Sequence, residues 1–391
     1  YTINYKEDFP LLKESPVAYL DNAATSFPRP EAVCAEMDRV NRTLSVNAGR
    51  GGYKAAREAS EIIYDTKKKL AELFHCDGKA DVVLTPSVTQ AFNQVLNGLD
   101  ISENTVIYIT AYEHNAIART MESIRQRTGC TVCLIPMEEK TLEIDLKKTE
   151  YLFHEKNPDI VISTVISNVT GYMLPVKDLF ELAKQHHAIT IADAAQAAGL
   201  IDIDLDEIKA DIIGFAGHKT LCGPFGIGGF IIRKDVSLKC ILTGGTGSDS
   251  LNLSMPQSAP GRYEAGSENI VAIAGLHAAL EWLSANQHME HIKELTNYLI
   301  DGLSKNPDVT VFAVNQQLGI VSFIVEGYDS GDVGQILDDE FDIAVRTGYH
   351  CAPYIHEYLK DNSYGGTVRV GIGPFNTKED LDALLDAIES L

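Results

Sequence analysis

Ile189-Thr-Ile-Ala-Asp-Ala-Ala-Gln196 and Asp211-Ile-Ile-Gly-Phe-Ala-Gly-His-Lys219 decide the fold. Each is a short apolar run, rich in β-branched residues, that ends in polar groups: Asp193 and Gln196 in the first, His218 and Lys219 in the second. A strand that is apolar on both faces belongs between two layers of helix, in a mostly parallel sheet. The pattern continues outward in both directions. Runs at Asp81–Leu84, Thr105–Thr110, Thr131–Met137, Ile160–Ile166, Ala188–Ala192, Ala210–Ala216 and Gly229–Arg233 alternate with helical spacing such as Ala59–Phe74 and Val176–His186. This predicts an α/β fold whose ligands sit beyond the carboxyl ends of the strands. After about residue 240 the pattern changes. Leu242–Arg262 is rich in Gly, Ser and Pro and reads as an ordered flap. Helices at Asn269–Ala285, His291–Lys305, near Asp332–Glu340 and at Lys378–Leu391, with strands near Val309–Val314 and Ile320–Val325, predict a smaller α/β domain. The expected organisation is a segment over 1–15 packed on the small domain, a large domain over 16–284 and a small domain over 285–391.

With 391 residues, the chain is long enough for a large core. Hydrophobic residues at 45% and charged residues at 23% exclude a disordered polymer or a coiled coil. A formal net charge of −22 repels phosphate backbones and argues against nucleic acid and anionic membrane as partners. No apolar run is long enough for a membrane helix, and Tyr1–Glu14 carries no signal-peptide core. Seven dispersed cysteines in so large a chain point to reduced thiols and a cytoplasmic location. Cys130 and Cys133 have metal-pair spacing but lie in an apolar strand with no second pair, so they read as core residues.

The strand ends carry the chemistry. Asp193 alone reads as a helix cap, and Lys219 alone as a surface lysine in a turn. Together, on successive strand ends, they are the two groups a pyridoxal 5'-phosphate site needs. The lysine forms the covalent link to the cofactor, and the carboxylate pairs with the ring nitrogen. Burial lowers the pKa of such a lysine and makes it a usable amine.

Seen with these two groups, the chain resembles the class V aminotransferase superfamily of pyridoxal-phosphate enzymes, and within it the group II cysteine desulfurases and selenocysteine lyases. Tyr19-Leu-Asp-Asn-Ala-Ala-Thr25, Pro86-Ser-Val-Thr-Gln-Ala-Phe-Asn93, Glu113-His-Asn115, Ser167-Asn-Val-Thr-Gly171, Ala192-Asp-Ala-Ala-Gln196, Gly217-His-Lys219, Glu264-Ala-Gly266, Arg346-Thr-Gly-Tyr-His-Cys351 and Val368-Arg-Val370 fall in family order. The resemblance implies fold-type I, with a mostly parallel seven-stranded sheet in the large, cofactor-binding domain and a catalytic cysteine loop in the small one. It implies that Lys219 and Asp193 hold the cofactor, with Thr89 and His218 at its phosphate and His114 on the ring face. Asn168 and Gln196 fall near the phenolic oxygen, Asn168 also near the substrate carboxylate. Ser267 would reach the phosphate of the other subunit of a homodimer, and Arg369 would clamp the substrate carboxylate through a bidentate fork. Two departures stand out: Ala216 occupies a position where many relatives have serine, and Asn47-Ala-Gly-Arg-Gly-Gly-Tyr53 lacks their histidine. Arg50 or a backbone amide is the expected replacement for the lost phosphate donor.

The second functional group selects the reaction. Cys351 lies in a Gly- and Pro-bounded loop, unlike the strand-borne cysteines, and Arg346 and His350 are expected to favour its thiolate. The resemblance makes Cys351, Lys219 and His114 the catalytic set. The implied reaction converts L-cysteine to L-alanine and leaves a persulfide on Cys351 for a sulfur-acceptor protein. L-selenocysteine as substrate is one alternative. An aminotransferase or other lyase with an idle Cys351, and a non-enzymatic persulfide relay, are the others. His288-Met-Glu-His291 lacks further ligands, and no metal is expected. Gly244-Gly-Thr-Gly247 lacks the Lys-Ser/Thr of a P-loop.

Overall fold

Ile160, Ile162, Ile191 and Ile212 enter one apolar cluster, while their neighbours Val161, Ala192 and Ile213 enter another. Alternation of side chains along a strand therefore buries both faces of one sheet. The computed structural model describes residues 18–49, 51–247 and 250–391. Its strands in chain order are β1 (Ala18–Tyr19), β2 (Ala80–Thr85), β3 (Val106–Ile109), β4 (Thr131–Leu134), β5 (Ile160–Thr164), β6 (Ile189–Asp193), β7 (Ile212–Ala216), β8 (Gly228–Arg233), β9 (Val309–Val311), β10 (Ile320–Val325), β11 (Ile343–Ala344), β12 (Arg346–Gly348) and β13 (Thr367–Gly371). The central sheet has seven strands in the order β2-β8-β7-β6-β5-β3-β4. Of these, β8 alone runs against its neighbours. The carboxyl ends of β2, β3, β5, β6 and β7 therefore share one edge, as the alternating pattern predicts.

Helices Val88–Gly98 and Asn115–Thr128 cover one face through Phe92, Val95, Ile117 and Met121. Lys54–Leu73, Val176–Gln185 and Ile270–Ala285 contribute Ile63, Leu179, Phe180 and Ile273 to the other. The packing is close: a Cβ on Gly214, in β7, would lie 2.4 Å from the Phe92 ring.

A second, four-stranded antiparallel sheet has the order β12-β13-β10-β9. Residues 167–173 join it to the first. Ser322 Oγ donates to Val169 O at 2.6 Å, Leu318 N to Gly171 O at 2.9 Å, and Met173 N to Gln316 O at 2.8 Å. β1 pairs with β11 in parallel, and Asp21 bridges to Gly371. Ala18–Asp21 thus reach the seam between the two sheets.

The expected elements recur with ends shifted by a few residues in either direction. Helices run over Met289–Leu303, Ser330–Phe341 and Lys378–Glu389, and β10 keeps its expected bounds. The Thr131–Met137 run shortens to Thr131–Leu134. Leu242–Arg262 carries no helix or strand among its described residues. The N-terminal segment 1–15 and Arg50 lie outside the described residues. No helix among the described residues is long and apolar enough to cross a membrane.

Candidate active site

β6 ends in Asp193 and β7 runs into Lys219, so parallel pairing of the two strands brings acid and amine to one edge. Asp193 is buried, and its Oδ1 accepts from Ala195 N at 2.9 Å. Burial raises its pKa above the usual carboxylate range; the Ala195 N–H and Lys219 oppose this without cancelling it. Lys219 lines a cleft with Asn22, Gln196, Thr220, Gly319 and Pro374. Burial lowers its pKa, while Asp193 and Cys351 pull the other way. Gly217 lets the chain turn here, since a Cβ would lie 2.7 Å from Ile227 O.

His114 caps helix Asn115–Thr128: its Nδ1 accepts from Ala116 N at 3.0 Å. That bond fixes a neutral imidazole with the hydrogen on Nε2, and burial lowers the pKa to about 4. Glu113 beside it is fully buried. Its Oε1 accepts from Thr110 Oγ1 at 2.6 Å and Thr164 N at 2.8 Å, its Oε2 has no hydrogen-bond partner, and burial pushes its pKa up to about 8. Gln196 Nε2 donates to Ala23 O at 2.7 Å. Thr89 is exposed in the first turn of helix Val88–Gly98, whose cap is Ser87. His218 shares a 3.2 Å hydrogen bond with Thr25 Oγ1 and stacks on Phe225 at 4.6 Å, and burial lowers its pKa to about 4. Ser267 is exposed and accepts from Asn47 Nδ2 of its own chain at 3.1 Å. Glu264 of the same motif accepts from Leu84 N at 2.8 Å and pairs with Lys67 at 2.7 Å, so it ties this segment to the end of β2. Ala216 ends β7 buried and offers no side-chain donor.

On β13 of the second sheet, Arg369 is only 3% exposed and acts electrostatically on Lys219. Nη1 donates to Asn168 O at 2.9 Å and Nη2 to Asp21 Oδ1 at 3.2 Å, while Nε is buried without a hydrogen-bond partner. Asp21 also holds Arg346 at 2.7 Å. Sequence reasoning gave Asp21 no role, because nothing local connects it to arginines more than three hundred residues away. Cys351 is exposed and lies within electrostatic range of Lys219, Arg346 and Arg369. One expectation is corrected here. His350 is buried, turned toward Thr367 Oγ1 at 2.8 Å and pushed down to about pKa 2, so it is neutral and brings no cation to Cys351. The positive charge around the thiol comes from the other three groups.

This arrangement defines a class of protein: an α/β enzyme with a lysine and a buried acid at adjacent strand ends and a buried arginine facing them. The chain belongs to the aminotransferase class-V family, whose model matches residues 18–384. It is 32% identical over 398 residues to a probable cysteine desulfurase of Halalkalibacterium halodurans, covering 98% of this chain and 96% of that one. It is 30% identical over 402 residues to a cysteine desulfurase of Escherichia coli, covering 99% and 97%. Among solved structures it is similar to apo cysteine desulfurase from Thermococcus onnurineus, with TM-score 0.89, 28% identity and coverage of 99% and 97%. It is also similar to an Escherichia coli cysteine desulfurase in its S-sulfonic acid form, with TM-score 0.86, 27% identity and coverage of 99% and 97%.

The family uses pyridoxal 5'-phosphate, and the residues present fit that group. Asp193 is a buried carboxyl with a raised pKa that a protonated ring nitrogen would satisfy. The start of helix Val88–Gly98 offers backbone N–H groups to a phosphate, and the unpaired Arg369 Nε suits a carboxylate. Among the described residues no cluster suits a metal ion.

Proposed function

We propose that this chain is a cysteine desulfurase that converts L-cysteine to L-alanine and leaves the sulfur as a persulfide on Cys351. The observation that carries the reading is the exposed Cys351 thiol, held in a loop within electrostatic range of both Lys219 and Arg369. When bound, pyridoxal phosphate supplies an electron sink for charge left on the substrate α-carbon. The chain's own residues do the rest. Arg369 receives the substrate carboxylate on its free Nε edge, with Asp21 and Asn168 fixing the fork. Lys219, its pKa lowered by burial, would hold the cofactor and supplies the amine that takes the substrate α-proton. Asp193 keeps a ring nitrogen protonated. Neutral His114 keeps its hydrogen on Nε2, which would face the cofactor ring and could pass a proton. Cys351 attacks the substrate sulfur: an S–S bond forms, the C–S bond breaks, and the former β-carbon gains a proton. L-cysteine and a thiol thereby become L-alanine and a persulfide, with no external oxidant.

Around this core we place Thr89 and His218 at the phosphate and Gln196 and Asn168 near the phenolic oxygen. The larger domain spans 16–284, and the smaller, over 285–391, carries the cysteine loop. The enzyme acts as a homodimer in which Ser267 reaches the neighbouring subunit's phosphate. It works in the cytoplasm, where the seven free thiols stay reduced and a sulfur-acceptor protein discharges the persulfide. In the test, borohydride reduction of the holoenzyme and peptide mapping place the pyridoxyl label on Lys219. Cys351→Ala keeps the cofactor and loses alanine formation from L-cysteine by about 10³-fold or more. A label on another lysine overturns the Lys219 assignment, and near-native desulfuration by Cys351→Ala overturns the desulfurase mechanism in favour of a selenocysteine lyase or an aminotransferase.

A further inference from the structure

Beneath the Cys351 loop lies a buried pair that the proposed reaction does not use. His356 and Asp361 are 3% and 0% exposed. His356 Nδ1 lies 2.6 Å from Asp361 Oδ2, and His356 Nε2 lies 2.9 Å from the carbonyl of Tyr349. A carbonyl only accepts, so Nε2 carries a hydrogen, and a second proton sits between Nδ1 and the carboxyl group. The ring is thus fixed from both ends. Asp361 is anchored in turn, because its backbone carbonyl accepts from Tyr364 N at 3.0 Å and Gly366 N at 3.1 Å.

The loop above needs such a hold. His350 and Cys351 have φ of 46° and 56°, a left-handed backbone that side chains with a Cβ adopt at a cost. Three successive carbonyls of this strained turn are each taken by a different group. His356 Nε2 binds Tyr349 O, Asn168 Nδ2 binds His350 O at 2.7 Å, and Asn115 N binds Cys351 O at 2.7 Å. Asn168 and Asn115 reach over from the strand ends of the central sheet. His356 is the clamp supplied from the loop's own side, and the only one of the three with a buried acid behind it.

We propose that the His356–Asp361 pair is a positioning device that holds the Tyr349 carbonyl and so keeps the left-handed His350–Cys351 turn aimed at the cleft. Its consequence for turnover rests on the desulfurase reading; the placement of the thiol does not. His356 touches no reacting atom. Its loss therefore acts on the step that needs Cys351 and spares cofactor and substrate binding.

The test uses holoenzyme carrying His356→Ala or His356→Gln. A glutamine Nε2–H can still reach the Tyr349 carbonyl, so it serves as the conservative rescue. His356→Ala is expected to lower kcat for alanine formation about tenfold or more with KM and cofactor occupancy unchanged, and His356→Gln to recover most of it. Should the alanine variant not fold, His356→Phe, which fills the space without an N–H, takes its place. Independently of activity, iodoacetamide labelling with peptide mapping reads Cys351 against exposed Cys34. That ratio is expected to shift by more than about threefold in the alanine variant and to return toward wild type with glutamine. An unchanged kcat and labelling ratio overturns the proposal, as does a glutamine variant that folds and is as impaired as alanine. If Cys351→Ala keeps desulfurating, the desulfurase reading falls, while the labelling ratio still decides the clamp.

Discussion

Glu113→Gln isolates one buried proton and predicts a change in stability whose size follows from the structure. Glu113 is fully buried beside His114, and burial raises its pKa from 4.5 to about 8. The folded state therefore binds this proton more tightly than the unfolded chain. Between about pH 4.5 and pH 8 the unfolded chain releases it and the native state keeps it, so stability falls as pH rises through that window. Linkage with these two values costs the native state about 1 kcal/mol at pH 5 and about 3 kcal/mol at pH 7, a loss of about 2 to 2.5 kcal/mol across the interval. Glutamine resembles the protonated acid. Its amide oxygen can accept from Thr110 Oγ1 and Thr164 N as Oε1 does, and it has no proton to lose. The assay is urea unfolding of the cofactor-free protein and of Glu113→Gln at pH 5, 6 and 7. Every other titrating group is common to both proteins and cancels in the difference. The variant is expected to gain about 2 kcal/mol on wild type between pH 5 and pH 7. Parallel stability profiles would refute the reasoning, because they would mean that Glu113 is ionised in the native state or titrates alike in both states.

Two further outcomes test the cleft. Arg369→Lys keeps the charge but cannot hold Asn168 O and Asp21 while offering a free N–H edge; KM for L-cysteine should rise about 10- to 100-fold with a smaller change in kcat, and an unchanged KM would remove Arg369 from carboxylate binding. Light scattering of the holoenzyme should give twice the chain mass, and a monomer with full cofactor occupancy would exclude a phosphate site shared through Ser267.

The strand-end residues were legible in the sequence because an apolar run with no polar face has one physical use, and the group that ends it lies at the sheet edge. Asp193 and Lys219 needed only that argument and the parallel pairing of β6 with β7. The residues of the second sheet were harder. Arg346–Gly348 is three residues long and carries no alternation, so β12 gave no signal. Asp21 stands inside a recognised motif, yet its work is done on Arg346 and Arg369, and that contact exists only once β1 has paired with β11 and Asp21 with Gly371. His350 misled for a related reason. Proximity in sequence to Cys351 suggested a cation, whereas the left-handed turn sends the ring inward to Thr367 and burial keeps it neutral. Sequence order shows which residues are neighbours along the chain, but not which side of a turn each one faces.

Asn168 shows why substrate clamp and nucleophile loop belong to one mechanical unit. Its backbone carbonyl accepts from Arg369 Nη1, and its side-chain amide donates to the carbonyl of His350, one residue before the thiol. It stands two residues after Ile166, inside the loop that the Ile166–Met173 bridge closes, in the segment that joins the two sheets. Arg369 is also tied to Asp21, which holds Arg346 two residues after β11. The thiol's backbone is hydrogen-bonded to Asn115, next to His114. A displacement of β13 against the central sheet would therefore strain the carboxylate clamp and the Cys351 loop together. In a reaction that requires a substrate sulfur to meet a thiol at bonding distance, one shared residue fixes the carboxylate end of the substrate and the attacking group in the same frame. The Asn168 and Asn115 links of this frame are made to backbone carbonyls and are insensitive to salt, whereas its half-exposed Arg346–Asp21 ion pair is open to screening.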